Sequence, residues 1–386
     1  MFAFEPDYED PDDRYWLGLI SRRGSKSIKK DISKKMDKKS GSGKNKYASI
    51  DRIRVLAFLF IIVYHFMVQL ERNGNYDFLK KGLVYYENAN LHIAMVGVSL
   101  FFMISGAGLM LSSRKSWNIR DFYKRRFIRL LIPFYIVELF TLIASYVMKP
   151  EWLEYFPAVP KIRIILNFLG MDGYFEQFFQ TFSLHVGEWF LGALIMLYAV
   201  FPLLRFCMEK NRYITVIAAT AGYSALIFGN VFSAPWTNVF VKAYDFILGM
   251  FLILELPKLM EKKTARYSIL AVSLAVIFTG IVLKVQLPTQ PVFNSLIIAV
   301  MIFAGAFALE PAGESDNVFD RAVKWICGIS YELFLVHHII IYYIGDNLGG
   351  RLLNLRRIGV LFIAEAFIML AMALFVKKIE KLIRLK

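Results

Sequence analysis

The chain has 386 residues, 57% of them hydrophobic, with a mean hydropathy of +0.48. A soluble domain is about 45–50% apolar, so the composition excludes a soluble globular enzyme and predicts an all-α integral membrane protein. The net charge of +15 does not call for nucleic acid, because the basic residues flank apolar stretches, where they fix topology and meet anionic lipid.

In chain order, residues 1–13 are acidic (EPDYEDPDD) and residues 14–46 are strongly basic with Gly and Ser. Neither part has an apolar periodicity that could form a core, so residues 1–46 read as a disordered cytoplasmic tail. No secretory signal is visible, and the first apolar stretch is expected to act as an uncleaved anchor. Met36 opens a basic lead of ordinary length, so translation from either Met1 or Met36 would serve the membrane core equally.

Apolar runs of about twenty residues mark ten candidate spans. They lie near 52–70, 91–112, 127–148, 189–207, 213–231, 238–256, 267–285, 291–309, 325–345 and 358–377. Pro235, Pro288 and Pro291 leave very short turns between spans five and eight. Basic residues cluster before span one and after spans two, four, six and ten, all on one side of an even-numbered bundle with both termini in the cytoplasm. Lys80, Lys81 and the basic residues from Arg351 to Arg357 are exceptions to this pattern. Cys207 and Cys327 both fall near cytoplasmic helix ends, without metal-ligand spacing, so neither a disulfide nor a metal site is expected.

Span one, DRIRVLAFLFIIVYHF (51–66), carries the first chemistry. Eleven residues from Arg54 to His65 give about three whole turns, which sets both side chains on one helix face about 16 Å apart. Asp51, three residues before Arg54, can hold the guanidinium at the helix entrance. Ionisable groups at this depth are costly and usually line a polar cavity, and an imidazole there can take a hydroxyl proton or briefly accept an acyl group.

VGVSLFFMISGAGLM (96–110) brings Gly97, Ser105, Gly106 and Gly108 into span two, where small residues let helices approach, and Ser105 can bond across. In RDFYKRRFIRLLIPFY (120–135), Arg126 and Arg129 lie one turn apart, a forked pair suited to phosphate, although the positive-inside rule alone also places basic residues there. Residues 149–187 form the longest predicted outer segment, rich in aromatic and acidic residues, and read as a lid or re-entrant element. Such aromatic faces suit sugar rings and membrane interfaces alike. Glu188 opens span four after His185, where its carboxylate could orient His65 or bind acceptor hydroxyls. CGISYELFLVHHIIIYYI (327–344) adds Ser330, Tyr331, His337 and His338; of the adjacent histidines only one is expected to face a given cavity.

These five stretches, in this order, resemble the membrane acyltransferase 3 family over residues 47–386. The family's arginine–ten residues–histidine pattern falls on Arg54 and His65, and its cytoplasmic arginine pair on Arg126 and Arg129. Its acidic motif residue falls on Glu188, and its SY…H motif on Ser330, Tyr331 and His337. The resemblance implies transfer of an acyl group, usually acetyl, from cytoplasmic acetyl-CoA or another acyl-CoA to a hydroxyl of a glycan or lipid-linked sugar. Catalysis then rests on His65, Arg54 and Glu188, and CoA binding on Arg126, Arg129 and Arg54. Asp51, Ser105, Ser330, Tyr331 and His337 support them. Whether His65 is a general base or a transient acyl carrier stays open. Two positions depart from the pattern: Val55 replaces the glycine after the first arginine, and Ser99 stands where relatives often carry an acid. The expected setting is the plasma membrane, with the bilayer as partner and a homo-oligomer left open. The competing class is a transporter or exporter of a polar solute or glycan, in which the same groups relay protons.

Overall fold

The computed structural model describes residues 47–76, 87–88, 91–113, 117–283, 285, 289–310 and 317–384. The predicted disordered tail, residues 1–46, and Lys80 and Lys81 lie outside them.

Helix α1, Ala48–Arg72, begins where the backbone N–H groups of Ala48 and Ser49 donate to the two carboxylate oxygens of Glu310, at 2.6 and 2.7 Å. An acid distant in sequence thus caps the positive end of the helix. A two-residue ladder, Glu87–Asn88 with Leu91–His92, leads into α2, Ile93–Ser112. Helix α3, Ile119–Met148, starts at Asn118, whose side chain accepts from the N–H groups of Arg120 and Asp121.

Residues 149–187 fold into a cap of short helical turns that includes α4, Ile164–Phe168, and α5, Asp172–Phe175. The cap is tied down from within and from below. Tyr155 donates to the carbonyl of Ser183 at 2.6 Å, Arg163 to that of Gln180 at 2.7 Å, and Asn167 both to that of Phe182 at 3.0 Å and to Glu138 on α3 at 3.2 Å. Asp172 is buried inside it, and that burial, with the neighbouring charge of Glu176, pushes its carboxyl up to about 7.

Beyond the cap run α6, Glu188–Phe228; α7, Val239–Met260; and α8, Lys263–Ile277, which continues as a π-helical turn, Phe278–Val282. Then follow α9, Pro291–Ala308; α10, Val318–Cys327; α11, Ser330–Leu348; and α12, Leu355–Arg384. Among the described residues six helices are long and apolar enough to cross a membrane, and α10 with α11, bent by 67°, can form a seventh crossing. The other predicted spans fall on helices that are less apolar or shorter: α7 carries Lys242, Asp245 and Glu255, and α8 has 15 residues.

Spans four and five are continuous in α6 except at Asn211, where φ −159° and ψ 98° interrupt the helix. The Asn211 side chain accepts from the N–H groups of Tyr213 and Ile214, so it caps a second arm. Tyr198 and Phe201 of the first arm meet Phe246 of α7, while Tyr223 of the second stacks on Tyr244. Both arms therefore reach the same level of α7, and the chain doubles back at Asn211.

Glycines set the closest helix approaches. A Cβ on Gly249 would sit 1.9 Å from the Met103 carbonyl oxygen, one on Gly106 2.1 Å from that of Phe246, and one on Gly97 2.7 Å from that of Ala57. So α2 lies backbone to backbone against α7 and α1, whereas a Cβ on Gly108 would meet nothing within 4 Å. Between α2 and α7 the fully buried Lys242 donates to Ser99 at 3.2 Å and to Asp245 at 3.0 Å.

Candidate active site

The site forms where α1, α6 and α11 converge. Glu188 opens α6 at φ 41°, after Gly187 at φ 73° and His185 at φ 58°, a run of left-handed backbone that costs on the order of 1–3 kcal/mol per non-glycine residue. The cap holds it in place: Gly173 packs so tightly that a Cβ there would lie 2.7 Å from the Glu188 carbonyl carbon. Strain of this kind aims the Glu188 carboxylate at α11.

There it lies 2.6 Å from Nδ1 of His338, and Tyr342 donates to the same oxygen at 3.5 Å. His337 donates from Nδ1 to the carbonyl of Phe334, 2.5 Å away, one turn back. A carbonyl or carboxylate partner places the proton on Nδ1 of each ring and leaves Nε2 as a bare lone pair. Both Nε2 atoms are buried and have no hydrogen-bond partner among the described residues. His65 of α1 closes the group, its ring centroid 3.8 Å from that of His338 and 5.5 Å from that of His337. Both adjacent histidines thus reach His65, correcting the expectation that only one would face the cavity: their rings stack, 4.2 Å apart and 25° from parallel, instead of diverging around the helix.

Ligand nitrogens of the three histidines lie within 4.8 Å of one another, so the cluster could hold a metal ion if the rings turned. As they stand, Nδ1 of His337 is engaged by the Phe334 carbonyl and Nδ1 of His338 by Glu188, which leaves the Nε2 atoms for proton transfer.

Toward the start of α1, Asp51 holds Arg54 at 3.3 Å, as the spacing predicted. Arg54 is 5% exposed, and its Nε has no partner among the described residues. Arg126 of α3 donates to Ser112 at 3.1 Å, with Arg129 one turn further on. The fully buried Tyr198 lies within electrostatic reach of Arg54, Arg126 and Arg129, so the three guanidinium groups frame one region. Tyr331 donates to the Leu130 carbonyl at 2.7 Å, which locks α11 to α3 beside it, while Ser330 bonds locally to the Cys327 carbonyl at 3.0 Å. Ser105 is buried next to Gly106 in the α2 packing seam.

At the other end of α1 a cavity of 410 Å³ opens under the cap, bordered by Arg72, Trp152, His185, Tyr342 and Asp346 among others. The sequence reading missed His338 as the partner of Glu188, and missed Tyr342 and this cavity. Their helical spacing was visible, since 338, 342 and 346 share a face of α11 as 65, 69 and 72 share one of α1.

The apolar helices are those of a multi-pass membrane protein, and its buried imidazole–carboxylate cluster lies between the Arg54 end of α1 and a polar cavity. A family model described as an acyltransferase domain matches residues 47–377, and the chain belongs to the acyltransferase 3 family. It is also similar to the peptidoglycan O-acetyltransferase OatA of Listeria monocytogenes, with 23% identity over 326 residues. That match covers 76% of this chain and 49% of the relative, so the chain spans about half the length of that protein. No solved structure matches it.

Proposed function

We propose that this protein is a membrane O-acyltransferase that moves an acetyl group from acetyl-CoA, bound at the arginine end, to a glycan hydroxyl presented from the opposite face. The observation that carries this reading is the His338–Glu188 pair in ring contact with His65, midway between Arg54 and the capped cavity. Arg126 and Arg129 hold the CoA phosphates, and Arg54 guides the pantetheine arm along the roughly 16 Å of helix that separates it from His65.

His338, fixed through Nδ1 by Glu188, takes the proton of the acceptor hydroxyl on Nε2. The freed oxygen attacks the thioester carbonyl and forms the ester as the carbon–sulfur bond breaks. His65, on the Arg54 side, relays the proton to the departing CoA thiolate. Keeping the anionic CoA at one face and moving only the small acyl group avoids the cost of carrying phosphates into lipid.

Ten crossings with both termini on the arginine side fit this scheme. In support, helix ends pair by side. Arg52 meets Asp320 at 2.8 Å, Arg212 meets Glu255 at 2.8 Å and Cys327 bonds the Asp51 carbonyl at one end. At the other, Asn75 bonds the carbonyls of Gly349 and Arg351, and Thr237 bonds Gln177 of the cap. The likeness to a peptidoglycan O-acetyltransferase supports a carbohydrate acceptor.

The test is CoA release from acetyl-CoA by purified protein in detergent, with ester formation on added glycan. Replacing Arg126 and Arg129 by alanine should raise the KM for acetyl-CoA by about 10- to 100-fold per lost charge-assisted contact while leaving acceptor KM unchanged. Solute flux across vesicles without CoA release would instead support a transporter.

A further inference from the structure

Two polar stripes connect the imidazoles with the wall of the cavity. His65, Gln69 and Arg72 follow one another along one face of α1, and His338, Tyr342 and Asp346 along one face of α11. Gln69 donates from Nε2 to Asp346 Oδ1 at 3.1 Å, so the stripes face each other. Gly345 permits this approach, since a Cβ there would lie 2.5 Å from Gln69 Cγ. Gln69 and Arg72 of one stripe and Tyr342 and Asp346 of the other line the 410 Å³ cavity, to whose wall the cap adds Glu151, Trp152 and Tyr155. The bond from Tyr155 to Ser183 fixes one aromatic wall.

Resting on the acyl-transfer reading, we infer that this cavity is the acceptor subsite and that it takes an uncharged saccharide, one ring against Trp152 with a hydroxyl directed down the stripes toward His338. Its volume falls in the range of about 300–1,000 Å³ usual for small-ligand sites. A pyranose offers a C–H face that lies on an indole and a rim of hydroxyls that both donate and accept. The wall matches that rim: Glu151 and Asp346 accept, and Arg72 and Gln69 donate. An anionic sugar would be served by several guanidinium forks. Here one arginine stands against two carboxylates, of which Glu151 also pairs with Lys149 at 3.5 Å.

The experiment is equilibrium binding of radiolabelled gluco-, N-acetylgluco- and rhamno-tetrasaccharides to the full chain in detergent, with tetragalacturonate as the anionic competitor. At least one neutral probe should bind saturably. Trp152→Ala should weaken it by about tenfold or more and Trp152→Phe by only about threefold, since the ring is the anchor. Asp346→Asn, a smaller change in shape, should weaken the same probe by about tenfold through the lost charge-assisted hydrogen bond. Tetragalacturonate should compete at least about tenfold less well than the neutral probe. Absence of binding by every neutral probe, unchanged binding by Trp152→Ala and Asp346→Asn, or preference for tetragalacturonate overturns the assignment. Acetyl-CoA turnover is followed on the same samples. Turnover that persists without saccharide binding removes this subsite and leaves the transferase; binding that persists without turnover removes the transferase and leaves a saccharide site.

Discussion

Replacing His338 by alanine is expected to lower kcat for acyl transfer by about 10²–10⁴-fold, the usual contribution of a positioned general base. Glu188→Gln should fall in the same range, because an amide keeps the size of the carboxylate but cannot stabilise the imidazolium that forms as the hydroxyl proton moves. The short contact between Glu188 Oε1 and His338 Nδ1, 2.6 Å, makes the two act as a unit, so the double variant should lose little more than either single one. His65→Ala should also fall steeply, whereas His337→Ala should cost less. Nδ1 of His337 is committed to the Phe334 carbonyl, and its ring stands further from His65 than that of His338. In all of these variants the KM for acetyl-CoA should stay close to its original value, since the donor arginines lie at the other end of α1. A rise in that KM with kcat intact would place the histidines in donor binding instead.

The second large effect is structural. Gly249→Ala is expected to destabilise the bundle by at least about 1–3 kcal/mol, because the added methyl group would occupy the space of the Met103 carbonyl oxygen and force two backbones apart. Parting α2 from α7 would also pull Ser99 from Lys242 and disturb a fully buried ion pair, so the loss should exceed that of a side-chain overlap. Gly108→Ala, on α2, is the control. With open space around it, that change should be neutral or stabilising by up to about 1 kcal/mol through helix propensity. The midpoint of thermal unfolding in detergent separates the two: a clear fall for position 249 and none for position 108.

What could be read in the sequence was local. Asp51 and Arg54 are three residues apart on one helix, and their pairing follows from helical spacing alone. The arginine–histidine spacing on span one and the aromatic, acidic composition of residues 149–187 likewise nominated residues of the candidate site and its cap. Glu188 could be nominated from its place at a helix start, but its partner could not. Adjacent histidines 337 and 338 are equivalent to a periodicity argument, and the choice between them is made by α6, whose first residue pairs with Nδ1 of His338. The hairpin within α6 was foreseen as two spans separated by RFCMEKNR, yet the device that makes it, a single asparagine leaving the helix and capping the next arm, carries no marker that distinguishes it from other polar residues in that stretch. Glu310 capping α1 and Lys242 bonding Ser99 were out of reach for the same reason: each joins positions that only the packed bundle brings together.

The central claim is that an acyl group, and not CoA, passes from the arginine end to the capped cavity. It is tested most directly in sealed proteoliposomes with protein of known orientation, doubly labelled acetyl-CoA on the arginine side and glycan acceptor only on the cap side. The account predicts acetyl ester on the acceptor with an equal amount of free CoA retained on the donor side, and loss of both in Glu188→Gln. Ester formed only when donor and acceptor share a compartment, or CoA label crossing together with the acetyl group, would contradict it.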